Sequence, residues 1–347
     1  MISDSAAVGS ERRCPAIVLE RFGNPVEVAV HACTTIPVAG PGEVLVRVDY
    51  APVNPADVNV LEGRYGLLPE LPAVPGVEGV GTVLESRSAD FSPGDRVLLP
   101  GGFGSWRDRG VASATQLVPV PSSLDLQQAA MLRINPATAY CMLREFESLV
   151  PGAWVVQNAA NSGVGRAVIQ IARQRGVRTI NVVRRAGLEE ELMRLGADAV
   201  LVEGAGLAER VREVAGDSGV GLGLNAVGGE SAWEMTKALR ESGTLVTYGA
   251  MARQPLRVPN GLLIFQDIRF RGFWVTRWYR ESSRASRETL FADLIRWTLE
   301  GNLRSPVAAV YPLERIREAL QHAQQDFRSG KILLRPSSAE GANQPAE

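Results

Sequence analysis

The sequence predicts an α/β protein with two domains, a partly open β-barrel and a doubly wound parallel sheet. The chain has 347 residues, and a single hydrophobic core usually stops growing at about 250–300 residues. Up to about residue 130, short apolar runs lie between Pro- and Gly-rich turns. Beyond Pro121, strand-like and helical patterns alternate, which is typical of a parallel sheet covered by helices.

Short strands predict the barrel of the first domain. Apolar runs at residues 16–19, 44–48 and 77–85 are separated by turns such as VAGPGEV and FSPGD. Many short strands with such turns favour a partly open barrel. Apolar residues at 126–146 then have helical spacing, and we expect Pro136 to break that helix.

The second domain is predicted from the alternation of strands and helices. Strands are expected at residues 154–157, 179–183, 199–202, 222–226 and 244–248, with helices at 165–175 and 188–195. Two further helices, 288–300 and 313–325, and a last strand, 331–334, follow. We therefore expect a barrel domain at 14–132 and 306–336, a cofactor domain at 133–305, and flexible termini at 1–13 and 337–347.

The composition excludes several classes of function. A net charge of −1 gives no electrostatic reason to bind nucleic acid or membranes, and no apolar run approaches the roughly 20 residues of a membrane span. The three cysteines form no CxxC pair, which argues against a disulfide framework and fits a reducing compartment. Residues 1–14 are a poor match to a transit peptide, so the sequence predicts a cytoplasmic protein.

The strongest local motif is a strand–turn–helix at residues 154–173, WVVQNAANSGVGRAVIQIAR. An apolar strand runs into the turn, and an amphipathic helix follows it. The free N–H groups at such a helix N-terminus bind the pyrophosphate of a dinucleotide. The glycine pattern is incomplete, because Ala159 and Ala160 stand where a first Gly is usual and only Gly163 and Gly165 remain. The alternative is a turn without a ligand.

Two arginines predict which dinucleotide binds. The strand at 179–183 ends at Arg184 and Arg185, where sites that prefer NAD carry an acidic residue for the ribose hydroxyl. Guanidinium groups instead form charge-assisted bonds with phosphate. The pair therefore predicts NADPH as the cofactor, the alternative being an ordinary solvated arginine pair.

No catalytic metal is predicted. Zinc dehydrogenases need Cys and His ligands, but the position of the ligand His in zinc relatives is Val77 here, and His31 and His322 are far apart in strand-like and helical contexts. No GxSxG elbow suggests a hydrolase. Without a metal, the reaction left for a bound nicotinamide is hydride addition to an alkene activated by a carbonyl, which also needs a proton donor.

Seven segments resemble the mitochondrial-type trans-2-enoyl-thioester reductases of the medium-chain dehydrogenase/reductase superfamily. The most specific lies within residues 51–81 and reads GRYGLLPELPAV. The others are NPATAY (135–140), QNAANSGVG (157–165), TINVVR (179–184), LNAVGG (224–229), GTLVTYGAMARQP (243–255) and RGFWVTRW (271–278). The resemblance covers about residues 16–334. It implies a GroES-like catalytic domain, a Rossmann cofactor domain, a homodimer, and NADPH-dependent reduction of enoyl-CoA or enoyl-acyl-carrier-protein.

The resemblance also implies the roles of individual residues. Tyr65 corresponds to the family's proton donor, and a tyrosine hydroxyl, protonated at neutral pH, can donate to an enolate. The implied NADPH contacts are Asn135, Asn161, Ser162, Gly163, Val164, Arg184, Arg185, Tyr248, Gly249, Ala250, Met251, Phe273, Trp274, Val275 and Lys331. A quinone or enone reductase of the same superfamily, and a cofactor-binding protein without catalysis, are the alternative functions.

Two further segments are candidates for substrate contact. Residues 262–265, Phe270, Phe273, Trp274 and Trp278 are large and apolar, and they suit either an acyl slot or core and dimer packing. A basic run consists of Arg269, Arg271, Arg277, Arg280, Arg284 and Arg287. It suits CoA phosphates or an acidic carrier protein, and equally a solvated surface.

Overall fold

The computed structural model describes residues 12–326 and 328–336. The chain divides into two compact units. The first unit extends up to Arg133 and resumes at Pro306, and the second unit is Ile134–Ser305. The termini expected to be flexible lie outside the described residues, except that Arg13 already begins a strand.

The strands of the described residues are β1 Arg13–Leu19, β2 Ala29–Thr35, β3 Glu43–Val53, β4 Val80–Ser86, β5 Arg96–Leu98, β6 Arg109–Ser113, β7 Val118–Val120, β8 Trp154–Gln157, β9 Arg178–Val183, β10 Ala199–Val202, β11 Val220–Asn225, β12 Leu239–Thr247, β13 Arg269–Gly272, β14 Val307–Pro312 and β15 Lys331–Arg335. The helices are α1 Pro25–Val28, α2 Pro55–Leu61, α3 Leu126–Ala129, α4 Asn135–Glu145, α5 Gly163–Gln174, α6 Glu189–Leu195, α7 Leu207–Ala215, α8 Gly229–Ala238, α9 Asn260–Gln266, α10 Val275–Glu281, α11 Arg284–Leu299 and α12 Ile316–Ala323. No helix among these is long and apolar enough to cross a membrane.

The first unit is built on antiparallel strands. Its larger sheet has the order β14-β15-β3-β4-β5-β7, and β6 also pairs with β3. A separate hairpin pairs β1 with β2. The core contains Ile17, Leu19, Val46, Trp106 and Leu334, all fully or almost fully buried. The alternation of buried and exposed residues along short strands explains why the sequence predicts β structure here.

Helix α2 begins with a reciprocal cap. The Asp57 side chain accepts a hydrogen bond from the N–H of Asn54 at 2.8 Å, the N–H of Asp57 donates to the Asn54 carbonyl at 3.0 Å, and Pro55 occupies the first turn. Both features favour a helix start at this point. The cap fixes where α2 begins, and the helix ends four residues before Tyr65.

The second unit is a parallel sheet with the order β10-β9-β8-β11-β12-β13. The chain runs outward from β8 to β10 and then returns to the other side of β8 as β11, so the direction of winding reverses between β8 and β11. Every residue of β8 and β11 is buried, as expected of central parallel strands. Open sheets of this kind bind ligands beyond the carboxyl ends of the strands, at that reversal.

The helix expected at 126–146 is two helices, α3 and α4, separated by residues 130–134. The prediction that Pro136 breaks a helix is therefore wrong: it lies in the first turn of α4, where its missing N–H costs no hydrogen bond. The sequence did not predict strands at β2, β5, β6, β7, β13 and β14. Strands β2, β13 and β14 carry several exposed or half-exposed residues, and β5 and β7 are only three residues long, which weakens the apolar signal.

Candidate active site residues

The turn between β8 and α5 has the geometry of a phosphate-binding loop. Ser162 is the N-cap of α5, and its hydroxyl accepts a hydrogen bond from the N–H of Gly165 at 3.1 Å. A Cβ on Gly165 would lie 2.5 Å from the carbonyl oxygen of Ala160, so the close contact of helix and loop requires glycine there. The N–H groups of Gly163 and Val164 remain in the first turn, where a helix has no internal acceptors for them.

Ala159 explains the incomplete glycine pattern. It adopts φ 48°, a left-handed conformation that costs an L-residue about 1–2 kcal/mol. The turn thus keeps the backbone shape that a glycine usually provides, although alanine occupies the position. Strain of this kind persists only where the surrounding structure holds it in place.

A buried amide network holds the loops at the carboxyl ends of β8 and β11. Asn158 donates to Asn225 Oδ1 at 2.8 Å and accepts from the N–H of Ala226 at 2.7 Å. Asn225 in turn accepts from the N–H of Gly228 at 3.0 Å. Because fully bonded networks of this kind are rigid, the loops are fixed before any ligand binds.

Tyr248 follows β12 and brings a third loop to the same place. Burial raises the pKa of Tyr248, and the side chain of Ser162 lowers it, so the two residues are neighbours. Within the described residues the buried Tyr248 hydroxyl has no hydrogen-bond partner of normal geometry. A buried polar atom without a partner calls for an explanation, and a dinucleotide on the Ser162 loop supplies one. The loop, the helix N-terminus and this hydroxyl together fit NADPH.

Most of the other predicted cofactor residues also lie in the second unit. Arg184 and Arg185 are exposed immediately after β9, and Phe273 follows β13. Asn135 is buried at the start of α4. The remaining predicted residues of this unit are Asn161, Gly249, Ala250, Met251, Trp274 and Val275, which lie in the turn before α5, after β12 and at the start of α10.

Lys331 differs from these residues, because it lies in the first unit at the start of β15. It is only 6% exposed and donates a hydrogen bond to Asn54 Oδ1. Burial lowers the pKa of Lys331 to about 8, and the charge of Glu78 opposes this shift. The structure therefore places Lys331 in a buried cluster with Asn54, Asp57 and Glu78.

That cluster was not predicted as functional. Two signals in the sequence point to it. Asn54-Pro55-Ala56-Asp57 has the spacing of a capping box, and Glu78 is a carboxylate inside an otherwise apolar, glycine-rich segment. Acidic residues are almost never fully buried without partners, and Glu78 is 0% exposed.

Tyr65 lies in the first unit, in the segment that joins α2 to β4. The side chain is partly buried, and the adjacent Leu67 and Leu68 are 57% and 38% exposed. The segment leaves α2 through Gly63, which has φ 71° and faces the Phe22 ring. The structure thus presents the predicted proton donor beside an exposed apolar surface.

The apolar stretch divides between core and surface. Leu262 and Phe270 pack against the core of the second unit, whereas Ile264 and Phe265 are 71% and 81% exposed on α9. Half of the basic run is paired with acids: Arg269 with Asp267, Arg277 with Glu281, and Arg284 with Glu288, at 2.7–2.9 Å. These pairs reduce the positive potential expected from the sequence.

The side chains do not fit a zinc site. No group of three or more His, Cys, Asp or Glu in the described part of the chain is placed to hold a metal. Val77 uses its N–H to bond Asp57. His31 faces Glu314 and His322 bonds Tyr311, so both histidines have structural partners.

Two family models match the chain. The alcohol dehydrogenase GroES-like domain matches residues 40–122, and the zinc-binding dehydrogenase model matches residues 163–291. The prediction of a GroES-like domain and a Rossmann domain is thereby confirmed. The second family is named for zinc, for which the part of the chain that the structure describes offers no group of ligands.

Relatives and solved structures match over nearly the whole chain. The mitochondrial enoyl-(acyl-carrier-protein) reductase of Mus musculus is 40% identical over 340 residues, covering 96% of this chain and 91% of that protein. A putative NADPH:quinone reductase from Bacillus thuringiensis has TM-score 0.88 and 30% identity, and the Etr1p complex with NADP and crotonyl-CoA has TM-score 0.84 and 28% identity. Each covers 94% of this chain and 100% of the other. Etr1p is also solved as the Etr1p/Etr2p heterodimer, a mitochondrial 2-enoyl thioester reductase from Candida tropicalis, with TM-score 0.83 and 28% identity over the same shares.

The predicted cytoplasmic location is wrong. The matching reductases of Mus musculus, Xenopus tropicalis, Dictyostelium discoideum and Arabidopsis thaliana are all named mitochondrial. Free cysteines indicate a reducing compartment, but the cytosol is not the only such compartment. The judgement on a transit peptide depended on residues 1–14, most of which lie outside the described residues.

The structural and sequence comparisons agree with the motifs. The identity to the mouse reductase is well above 30% and extends along almost all of both chains, and the domain models match both units. This chain belongs to the mitochondrial enoyl-(acyl-carrier-protein) reductase family of the medium-chain dehydrogenase/reductase superfamily.

Proposed function

We propose that this protein is a zinc-independent, NADPH-dependent reductase that converts trans-2-enoyl thioesters to saturated acyl thioesters. The observation that carries this proposal is the 40% identity to an enoyl reductase over 96% of the chain. The similar Etr1p structure is a complex with NADP and crotonyl-CoA, and crotonyl-CoA is a trans-2-enoyl thioester. Both ligands of Etr1p agree with the chemistry predicted from the residues of this chain.

The second unit supplies the cofactor site. The N–H groups of Gly163 and Val164 would hold the pyrophosphate, and the Ser162 hydroxyl already orders their turn. Arg184 and Arg185 would hold the 2′-phosphate. When bound, NADPH supplies the hydride that adds to the β-carbon of the enoyl group.

Tyr65 of the first unit is the proposed acid. Hydride addition leaves negative charge on the thioester enolate, and the tyrosine hydroxyl donates a proton to the α-carbon. Leu67 and Leu68 expose apolar surface beside Tyr65, which suits an acyl chain. The thioester carbonyl activates the alkene, and both CoA and acyl carrier protein present the same thioester, so the proposal covers either carrier.

We also propose a homodimer formed through the outer strand β13. In the described sheet β13 pairs only with β12, which leaves one edge of its backbone available for a second strand. The apolar side chains of Ile264 and Phe265 on the nearby α9 are exposed. Light scattering should therefore give twice the mass of one chain, whereas the mass of a single chain would rule the dimer out.

Substrate comparison tests the proposed function. Purified protein is mixed with NADPH and either a series of trans-2-enoyl-CoA thioesters or a series of quinones, and NADPH oxidation is followed. We expect kcat/KM for the preferred enoyl thioester to exceed that for every quinone by about 10²-fold or more, because the site is built for one electrophile. Higher turnover of a quinone would favour the alternative, a quinone or enone reductase.

A further inference from the structure

The segment that carries Tyr65, residues 62–77, follows α2, and a buried carboxylate of that helix closes the segment by bonding its last residue. Asp57 Oδ2 accepts the N–H of Asn54 at 2.8 Å, just before α2, and Asp57 Oδ1 accepts the N–H of Val77 at 3.0 Å. The first contact lies before the segment and the second at its end. One side chain therefore ties the end of this segment to the helix from which the segment leaves.

Asn54 makes a second connection across the same closure. Its Nδ2 donates to Glu78 Oε1 at 2.8 Å, and its Oδ1 accepts from Lys331 Nζ. Lys331 stands 277 positions away in the chain, at the start of β15. The amide of Asn54 thus ties the entrance of α2 both to the residue that follows the segment and to a strand from the far end of the chain.

The four side chains are sealed from solvent. Asn54, Asp57, Glu78 and Lys331 are 2%, 1%, 0% and 6% exposed. Burying such groups is unfavourable unless each is hydrogen-bonded, and buried ion pairs often stabilise a fold less than apolar residues of the same size would. In some proteins, buried polar groups of this kind fix a single arrangement of the chain rather than add stability, and here the array contacts the residue that ends the Tyr65 segment and the residue that follows it.

The pKa values agree with a tightly constrained array. Burial raises the pKa of Asp57 to about 7, while the N–H groups of Asn54 and Val77 and the charge of Lys331 lower it. Burial lowers the pKa of Lys331 to about 8. Both groups are thus held away from their ordinary values by the same closed environment.

We propose that Asn54, Asp57, Glu78 and Lys331 are positioning residues that hold the Tyr65 hydroxyl where it can protonate the enolate. Asp57 closes the segment, and Lys331 acts by fixing Asn54. The proposal rests on the proposed function, in which Tyr65 is the acid. A displacement of about 1 Å in a catalytic group can lower a rate by about 10²-fold.

Asp57→Asn is the first test. Both carboxylate oxygens of Asp57 accept from backbone N–H groups, so the amide NH₂ of Asn would face one of these donors and that hydrogen bond would be lost. We expect kcat with a trans-2-enoyl-CoA to fall by about 10²-fold. KM for NADPH should stay within about threefold of wild type, because Gly163, Val164, Arg184 and Arg185, which would hold its phosphates, lie in the second unit. Trypsin cleavage after Arg64, measured against cleavage after the exposed Arg87, is expected to become faster. A variant that merely weakens the fold would accelerate both cleavages equally.

Asp49→Asn is the matched control. Asp49 is also buried in the first unit, but it bonds Arg47 and Thr82, neither of which belongs to the Tyr65 segment. The kcat of the Asp49→Asn protein is therefore expected to stay within about threefold of wild type.

If Asp57→Asn does not fold, Asn54→Ser is used, since serine keeps the helix cap but loses the bonds to Glu78 and Lys331. Unchanged kcat in a folded Asp57→Asn or Asn54→Ser protein would overturn the proposal. Failure of the proposed function would look different from failure of this positioning proposal, because the wild-type protein itself would then not reduce enoyl thioesters. The ratio of trypsin cleavage after Arg64 to cleavage after Arg87 would still report whether Asp57 holds the segment.

Discussion

Replacement of Tyr65 with Phe is expected to lower kcat for enoyl thioester reduction by roughly 10²–10⁴. The change removes only the hydroxyl, so the aromatic ring at this position is kept. KM for NADPH should stay near the wild-type value, because the predicted phosphate contacts are in the second unit. Steady-state kinetics with a trans-2-enoyl-CoA at saturating NADPH measures the effect.

Tyr50→Phe is the control for this prediction. Tyr50 lies in β3 of the first unit and is also partly buried, but the proposed reaction does not use its hydroxyl. Its kcat should remain within about twofold of wild type, since substitutions away from a site usually have small effects. Near-normal turnover by Tyr65→Phe would show that another group supplies the proton.

Replacement of both Arg184 and Arg185 with Ala is expected to raise KM for NADPH by about 10²-fold and to change KM for NADH by less than about threefold. A hydrogen bond to a charged group contributes about 1.5–3 kcal/mol. Both arginines are exposed, and solvent screening reduces that contribution, so we take the lower end of the range. NADH lacks the 2′-phosphate, so its binding loses no such hydrogen bond in the variant.

Arg194→Ala provides the comparison for the double variant. Arg194 is an exposed arginine of α6 that pairs with Glu190, and its loss should leave both KM values unchanged. The ratio of kcat/KM for NADPH to that for NADH, measured in all three proteins, gives the preference directly. An equal rise in KM for the two cofactors would remove these arginines from the phosphate site.

The elements best predicted from the sequence are those buried on both faces. Strands β8 and β11 and helix α5 have continuous or strongly periodic apolar patterns, because tertiary packing and local pattern agree there. Strands β2 and β14 alternate between exposed and half-buried residues, and β13 carries exposed arginines. Their pairing depends on neighbours from elsewhere in the chain, so the local sequence does not reveal it.

The residues of the candidate site also divide into those that a local sequence motif predicts and those that depend on contacts between distant parts of the chain. The Ser162 turn and the arginines after β9 follow from a strand–turn–helix motif that spans about 30 residues. The sequence placed Ala159 and Ala160 together where a first glycine is usual, and the φ of 48° at Ala159 shows which of the two adopts the backbone shape of that glycine. The Asn54–Lys331 contact joins positions 277 residues apart. A motif within one segment cannot predict a contact between such distant positions. The family resemblance listed Lys331 among the NADPH contacts, but it gave no indication that Lys331 bonds Asn54.

The fate of the hydride tests the central claim most directly. The protein is incubated with a trans-2-enoyl-CoA and NADPH deuterated at both C4 positions of the nicotinamide, and the acyl product is analysed by mass spectrometry and NMR. We expect a saturated acyl thioester with a single deuterium at the β-carbon, and, with unlabelled NADPH in D₂O, a single deuterium at the α-carbon. Cofactor deuterium at the α-carbon, or a C=C bond that persists while NADPH is consumed, would contradict it.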